Sequence, residues 1–356
     1  PFVPGSCILA GTRYKSDDNT PYIYYTSDYG ATWKLLTAGI SKTDFVRVVR
    51  CDEVMKGLWY CGTEHGMYLS SDAGLHWNKF QNNLPIVPIT DLCIKENNLI
   101  VATQGRSFWI LDNLNVIQQT IGKNVAQQAS YLYAPQVTYR MSGYQGQQAN
   151  TGENPPNGIV LNYFIKSGTD AKSVKIKFMN SKGETIKTFA SKPGKKEVQL
   201  DAESGLNTLV WDMYYDGGEA IDGMILWNGT PGGPKLAPGN YSVTLYVGKD
   251  SSTTSVVVKP DPNYNTSIAD IEAQTNFLLQ VRDKFNDVQH AVLRIREIRS
   301  QLNSVTDKLG ADCPKALKDT AAYIIKKITA IENELYQTKS KAFQDVLNYP
   351  IKLNDK

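Results

Sequence analysis

This sequence of 356 residues has few histidines, no closely spaced cysteine pair and no long apolar run. Its three histidines, His65, His76 and His290, are too far apart along the chain for the spacing of metal ligands, which argues against a histidine metal site. The five cysteines include no C-x-x-C pair, so a cysteine zinc site is not predicted either. No run of 18 apolar residues occurs, and no segment is predicted to span a membrane.

Excess charge is missing as well. The 38 basic and 35 acidic residues leave a net charge of +3, which is too small to indicate a nucleic-acid partner. No glycine-rich phosphate loop follows a predicted strand, and no Ser-His-Asp or Cys-His arrangement can be argued, so no cofactor is expected. A content of 41% apolar and 10% aromatic residues is sufficient for sizeable cores, and the length predicts two or three domains.

Two copies of one short motif are the strongest pattern in the sequence. Motif 1 (26–33) and motif 2 (70–77) both read Ser/Thr-x-Asp-x-Gly-x-x-Trp, and each follows an alternating aromatic strand. A repeat of about 40–45 residues is typical of one four-stranded propeller blade. In such an Asp-box the Asp supports a turn, the Gly supplies a positive φ and the Trp covers the hairpin end. We interpret six residues as structural rather than ligand-binding: Asp28, Gly30, Trp33, Asp72, Gly74 and Trp77.

Residues 1–114 are therefore predicted to form the last blades of an Asp-box β-propeller. Three blade segments can be traced, whereas a closed propeller usually needs about four to eight. The sequence opens at Pro1 with no initiator Met or signal peptide, which we interpret as a piece of a longer polypeptide. The missing blades are expected either from that polypeptide or from a partner chain.

Three further regions follow the predicted blades. Residues 115–158 are rich in Gln and Asn and then in Gly and Pro, and are predicted to be a linker. About seven strands in roughly 100 residues predict an immunoglobulin-like β-sandwich over 159–260. Apolar residues at spacings of three and four predict an antiparallel helical hairpin over 265–350, interrupted near Gly310. The predicted fold class is mainly β with an α-helical C-terminus.

One disulfide is a candidate. Cys51 and Cys61 lie on adjacent strands of one predicted hairpin, and cysteines in such strands are as often reduced core residues.

Four residues are candidates for a ligand site facing the propeller channel. Arg47, Arg50 and Arg106 lie on or beside the inner strands, and Glu64 is the carboxylate best placed near a strand end. Structural salt bridges and the covering of aromatic faces are the alternative for the arginines. A glycosidase needs two carboxylates that flank one bond, and no such pair can be assembled here. No catalytic residue and no metal ligand is therefore assigned.

Several stretches carry a resemblance to a known family. The segments 45–50, 57–64 and 103–112, with Gly74 and Trp77 between them, closely resemble the end of the propeller in large bacterial BNR-repeat, sortilin-like and sialidase-like proteins labelled as glycosyl hydrolases. In that family a β-sandwich and C-terminal helices follow the propeller, so the resemblance covers essentially the whole chain. The family commonly has His where this sequence has Gln104. Residues 205–212 and 236–241 also look like the immunoglobulin-like domain of flagellar hook-capping proteins.

The resemblance implies a secreted, periplasmic or surface-exposed protein of a Bacteroidetes-like bacterium. It leaves three hypotheses for the function. The first is a non-catalytic propeller protein that binds a protein, peptide or glycan. The second is a glycoside hydrolase whose catalytic residues lie mainly on blades outside this sequence, and the third is a subunit of a bacterial envelope assembly. We favour the first because no catalytic carboxylate pair is visible.

Overall fold

The computed structural model describes residues 3–141, 152, 154–168, 173–226 and 230–353. Three small antiparallel sheets come first, two sheets that share one core follow, and two helices complete the described chain. The prediction of a mainly β chain with a helical C-terminal part is confirmed.

The three small sheets are built from consecutive strands. Sheet 1 consists of β1 (Cys7–Gly11), β2 (Tyr22–Thr26) and β3 (Lys34–Leu35). Sheet 2 consists of β4 (Val46–Cys51), β5 (Trp59–Thr63), β6 (Gly66–Ser70) and β7 (Asn78–Lys79). Sheet 3 consists of β8 (Ile89–Lys95), β9 (Asn98–Thr103) and β10 (Phe108–Leu111). Every strand pair in them is antiparallel.

Sheet 2 lies between the other two and is buried on both sides. Trp59 and Tyr68 on one side belong to a core shared with Ile23 of sheet 1. Tyr60 on the opposite side belongs to a core shared with Leu92 of sheet 3. Because side chains alternate along a strand, a strand packed on both faces reads as a continuous apolar run, as β5 does.

The two motifs form turns of the same construction. Asp28 accepts a hydrogen bond from the backbone N–H of Thr32, and Asp72 accepts the equivalent bond from His76, both at 2.9 Å. Gly74 has φ of +83°, which a side chain resists, and a Cβ there would lie 2.5 Å from the Trp59 ring. Each turn lies between two paired strands, β2 and β3 in sheet 1 and β6 and β7 in sheet 2.

The segment after sheet 3 is not a plain linker, which corrects the sequence interpretation of 115–158. It forms α1 (Asn115–Gly122), β11 (Ser130–Leu132) and β12 (Thr138–Arg140). The two strands have three residues each and pair with partners far along the chain, so no local pattern reveals them. Residues 142–151 and 153 of this region lie outside the described residues.

Two larger sheets enclose the largest core. Their further strands are β13 (Ile159–Ile165), β14 (Val174–Met179), β15 (Thr185–Ala190), β16 (Val198–Gln199), β17 (Gly205–Trp211), β18 (Gly239–Val247) and β19 (Asp250–Pro260). Sheet 4 has the order β11-β13-β17 and sheet 5 the order β12-β19-β18-β14-β15-β16. Phe178 of sheet 5 and Trp211 of sheet 4 pack with ring centroids 4.4 Å apart. We call sheets 4 and 5 together the two-layer unit.

The C-terminal helices differ in length. α2 (Ile268–Leu309) begins after Ser267, whose hydroxyl accepts the backbone N–H of Asp270 at 3.1 Å, and it ends at Gly310. α3 (Lys315–Leu335) packs against it but stops before the predicted boundary. The segment 338–340 reads Thr-Lys-Ser, whose Thr and Ser compete with helix through local hydrogen bonds. A short 3₁₀ helix (Phe343–Leu347) follows.

The candidate disulfide is not formed, because the strand register separates the two thiols. Cys51 lies opposite Trp59, and Cys61 lies opposite Val49, so the two cysteines are not neighbours across the β4–β5 ladder. Cys61 is fully buried and all five cysteines are free thiols. The alternative, a reduced core residue, holds for Cys61.

Candidate functional site

Two of the four candidate residues lie together at one end of sheet 2. The Nε atom of Arg47 on β4 donates to Oε2 of Glu64 at 2.7 Å, in the turn between β5 and β6. Each side chain is about a quarter exposed, with 26% of its area accessible. The pair therefore joins two neighbouring strands and keeps a polar edge in contact with solvent.

An aromatic ring and a second arginine complete this group. The Phe45 ring is buried, and the guanidinium carbons of Arg13 and Arg47 lie 4.1 and 5.1 Å from its centroid. Such contacts of a cation with an aromatic face stabilise both partners and fix the direction of the arginine. We call Arg13, Phe45, Arg47 and Glu64 the Arg47 cluster.

A histidine and a buried carboxylate adjoin the cluster. The Nδ1 atom of His65 lies 3.1 Å from Oδ1 of Asp44, and the backbone N–H of His65 donates to the same oxygen at 3.1 Å. The other oxygen of Asp44 accepts from Thr63 and Tyr68. Because Asp44 is buried and satisfied by these donors, it holds the Glu64 turn in place.

The remaining two candidates lie elsewhere. Arg50 donates to Asp91 of β8 at 2.7 Å, so this ion pair bridges sheets 2 and 3. Arg106 is exposed in the turn before β10, where its backbone carbonyl accepts the indole N–H of Trp109. Arg47 and Glu64 therefore contact each other, whereas Arg50 and Arg106 have other partners.

Sequence reasoning missed Arg13, Phe45 and Asp91. Phe45 and Arg47 are two residues apart next to a strand, a spacing that places side chains on one face and could have indicated their contact. Arg13 lies outside the strands, in the stretch between β1 and β2, and Asp91 reaches Arg50 from a neighbouring sheet. Contacts between residues of separate sheets leave no pattern in the spacing of residues along the sequence.

Two further acidic residues in the region of sheets 1–3, Asp52 and Asp28, stabilise the fold through hydrogen bonds. Asp52 is fully buried and accepts from two backbone N–H groups, from the Tyr60 hydroxyl and from Gln118. Burial and this nearby carboxylate raise the pKa of Tyr60. Hydrogen bonds, first from the Thr32 hydroxyl, lower the pKa of Asp28 to about 2. Among the described residues, no three His, Cys, Asp or Glu side chains are grouped in a way that could hold a metal ion.

A polar cleft of about 1490 Å³ lies between sheet 5 and α2. On its wall Glu219 is 2.9 Å from Nζ of Lys196 and 2.8 Å from Nε2 of His290. Asn286 of α2 accepts the backbone N–H of Glu219 at 2.7 Å. Hydrogen bonds from Lys196 and then His290 lower the pKa of Glu219 to about 2. These contacts attach the 216–220 segment to the helix, and opposite charges in the cleft neutralise one another.

In the described ranges no helix combines the length and the apolar character that crossing a membrane requires.

Comparisons with known proteins give no family. No family model matches the chain, and no curated protein matches it. Among solved structures, CopC from Methylosinus trichosporium OB3b aligns with 38% of this chain and 98% of its own, at 13% identity and a TM-score of 0.20. An ancestral GH74 enzyme aligns over 73% of this chain and 37% of its own, at 12% identity and a TM-score of 0.23.

A third alignment is with the extracellular domain of a protein described as a hybrid two component system from B. thetaiotaomicron. It covers 68% of this chain and 29% of that one, at 11% identity and a TM-score of 0.23. The chain thus spans less than two fifths of the GH74 enzyme and of this domain. At such TM-scores the alignments carry no conclusion about fold or function.

Proposed function

We propose that this chain is part of a secreted, periplasmic or cell-surface binding protein of a bacterium. In this proposal sheets 1–3 are consecutive blades of an Asp-box β-propeller within residues 1–114. The two-layer unit, mostly within 159–260, is an immunoglobulin-like sandwich, and the helices within 265–350 are a docking hairpin. The repeated packing of sheet 1 on sheet 2 and of sheet 2 on sheet 3, together with two identical aspartate turns, supports this assignment.

The Arg47 cluster is the ligand-binding site in this proposal. The observation that carries it is the Arg47–Glu64 pair, a fixed donor and acceptor held at a partly exposed edge by β4 and the β5–β6 turn. An arginine and a carboxylate with free hydrogen-bonding directions can bind hydroxyl groups of a glycan or the backbone and charged side chains of a peptide. Arg13 extends the same edge by its contact with Phe45.

The arginine partners of the nearby carboxylates favour binding over hydrolysis. A glycoside hydrolase requires an acid and a second carboxylate about 5 to 10 Å apart around one bond. Glu64 and Asp91, which lie on or beside inner strands, are each engaged with an arginine. A carboxylate held in an ion pair with an arginine has a fixed position as a hydrogen-bond acceptor, which suits recognition of a ligand.

Binding to a glycan array and to a random peptide library tests the proposal. We expect a defined ligand class for the wild-type chain and a loss of about tenfold or more in affinity for Arg47→Ala and for Glu64→Gln. Lys249→Ala, in the exposed turn between β18 and β19, is the control and should bind like the wild type. Binding that is unchanged in both cluster variants would refute this site.

A measurement of sugar release from the same glycan panel distinguishes the hydrolase hypothesis from the binding hypothesis. If the wild type releases reducing sugar and Glu64→Gln abolishes that release, the protein is an enzyme and the binding proposal is wrong. If neither the wild type nor the Glu64→Gln variant releases sugar while the array shows binding, the binding function is supported.

A further inference from the structure

The outermost strands of the two-layer unit differ in length. In the described structure β11 and β12 have three residues each and β16 has two. Such short edge strands offer few unpaired backbone groups to another chain. β17 is the exception, because it has seven residues and pairs with β13 over its full length without a bulge. No described strand lies on its other side.

The hydrogen bonds of β13 show which of its residues bond to which neighbour. The carbonyl of Asn162 accepts from the backbone N–H of Tyr133 at 3.1 Å, and the N–H of Lys166 donates to the carbonyl of Ala129 at 2.9 Å. Both bonds lie on the β11 side of the strand. Since alternate residues of an antiparallel strand bond to opposite sides, the even-numbered residues of β13 bond towards β11 and the odd-numbered ones towards β17.

The register transfers this alternation to β17. Its odd-numbered residues lie opposite odd-numbered residues of β13, as Leu209 does opposite Leu161, and so bond to β13. The backbone N–H and C=O groups of the even-numbered residues Leu206, Thr208 and Val210 therefore point to the open edge. No hydrogen-bond partner of these backbone groups is found among the described residues.

The side chains at this edge favour pairing with a further strand. Leu206 is 56% exposed and Val210 is 41% exposed, and Thr208 between them is exposed as well. β17 contains no charged residue and no Pro, which are the residues that keep natural edge strands from pairing. A long, uncharged edge with exposed apolar side chains is a template on which another strand can be added.

The sequence of β17 is complementary to itself, which favours a second copy as the added strand. In an antiparallel pair with a two-fold axis at Thr208, Leu206 of each copy lies opposite Val210 of the other, and the two Thr208 residues face each other. All three residues have outward backbone groups, so every facing pair can exchange two hydrogen bonds. Apolar residues then meet apolar residues, Thr meets Thr, and no like charges meet.

We infer that two copies of this chain pair through β17, antiparallel and centred on Thr208. The result is one continuous sheet of six strands, three from the sheet 4 of each copy. The contact is isologous, because the same residues of both copies form it. Gln119 of α1 accepts from the Tyr131 hydroxyl of β11 at 3.1 Å, on the far side of sheet 4 from the open edge. The pairing is independent of the blade assignment and of the Arg47 cluster.

A second stretch of open edge is the part of β19 before its pairing with β12. β12 pairs only with Val258–Pro260. The exposed residues of the preceding part are polar: Asp250, Ser251, Thr253 and Ser255. A strand added there would gain no apolar pair from these side chains, whereas β17 offers Leu206 and Val210. Ser255 therefore provides a control position on an open edge.

Sedimentation velocity of the whole chain from about 1 to 200 µM tests the pairing, since a contact through one strand is small and should be transient. We expect a monomer–dimer equilibrium for the wild type. The double variant Leu206→Lys with Val210→Lys should weaken it about tenfold or more, because lysines then face each other. Ser255→Lys adds the same charge to β19 and should leave it unchanged. A monomeric wild type at the highest concentration, or equal weakening by Ser255→Lys, would overturn the inference.

A second double variant that differs in the sign of one charge tests the direction of pairing. Leu206→Lys with Val210→Glu places lysine opposite glutamate in the antiparallel pair, so it should dimerise about tenfold or more tightly than the double-lysine variant, and less tightly as salt rises. In a parallel pair like charges would meet in both variants, and equal weakening of the two would refute antiparallel pairing. Near-ultraviolet circular dichroism of each variant separates loss of contact from loss of fold, and the ligand arrays test the binding function independently.

Discussion

Gln118 of α1 donates hydrogen bonds from Nε2 to both carboxylate oxygens of Asp52, at 3.1 and 3.0 Å. The same nitrogen lies 2.7 Å from the side-chain oxygen of Asn97, in the turn between β8 and β9. The helix after sheet 3 is thereby attached to sheets 2 and 3 through a buried polar network. Both oxygens of Asp52 have donors, so the buried carboxyl group is fully hydrogen-bonded.

Removal of the Gln118 amide should destabilise the chain. Gln118→Ala leaves the buried carboxylate with fewer donors, and we expect a loss of about 1–3 kcal/mol in the free energy of unfolding. Urea denaturation followed by circular dichroism measures this. Gln127→Ala, an exposed position, is the matched control and should change stability little. Equal stability of Gln118→Ala and the wild type would show that the network contributes nothing.

Asp28 should titrate at low pH. Hydrogen bonds from the Thr32 hydroxyl, the Thr32 backbone N–H and the Thr26 hydroxyl lower its pKa to about 2. Its pKa in the unfolded chain is about 3.9, so the stabilisation from the charged form is complete above that value and is lost as the pH falls towards 2. Carboxyl NMR titration should find this low pKa.

Thr32→Val removes one of those donors and should raise the pKa of Asp28. Asp72, in motif 2, has its own donors in His76 and Ser70 and serves as the internal control, with an unchanged pKa. A pKa of Asp28 that does not respond to the substitution would exclude the Thr32 hydroxyl as its cause.

The buried carboxylate of Glu332 should be essential to the contact between α2 and α3. Arg296 donates to one of its oxygens at 2.8 Å and Arg299 to the other. Burial disfavours the charged form, but the bonds from Arg296 and Arg299 outweigh it and the pKa of Glu332 is lowered. Glu332→Gln removes the negative charge and replaces one acceptor oxygen by an amide NH₂ that faces an arginine, and we expect a loss of about 2–4 kcal/mol in the free energy of unfolding, measured by thermal or urea denaturation.

Glu334→Gln on the same helix is the control for this substitution. Its carboxylate is exposed and lies 3.8 Å from Lys352, so its removal should cost less than about 1 kcal/mol. Similar losses of stability for Glu332→Gln and Glu334→Gln would show that the contacts of Glu332 contribute no more to stability than an exposed ion pair does.

Five free thiols should react in the unfolded chain without reductant. In the native chain the exposed Cys7 and Cys93 should react first with a thiol reagent. Cys61 should react only on unfolding, since burial removes access and raises the pKa of its thiol. Three reactive thiols in denaturant, with a mass lower by two hydrogens, would instead show a disulfide.

The local parts of the fold could be predicted from sequence, and the long-range parts could not. The aspartate turns follow from a few adjacent residues, and the Ser267 cap and Gly310 delimit α2 in the same local way. The pairing of Cys51 with Trp59 depends instead on strand register, which spacing along the chain does not define. The short strands β11 and β12 depend wholly on distant partners.

The candidate site shows the same division. The Arg47–Glu64 pair joins two strands of one sheet, and both residues were candidates from the sequence. Arg13 enters the cluster through contact with Phe45, and Asp91 reaches Arg50 across two sheets. The unequal exposure of Trp33 and Trp77, at equivalent motif positions, also arises from the neighbouring sheet and not from the motif.

The β12–β19 pair has a mechanical consequence. The two strands are parallel, and β12 follows the small sheets while β19 leads into α2. Tension between the N-terminal sheets and the helices first loads the β11–β13 pair, and it then pulls the start of β12 and the end of β19 in opposite directions. The interstrand hydrogen bonds then bear the load together in shear instead of opening one after another, which makes this joint a point of high resistance to force along the chain.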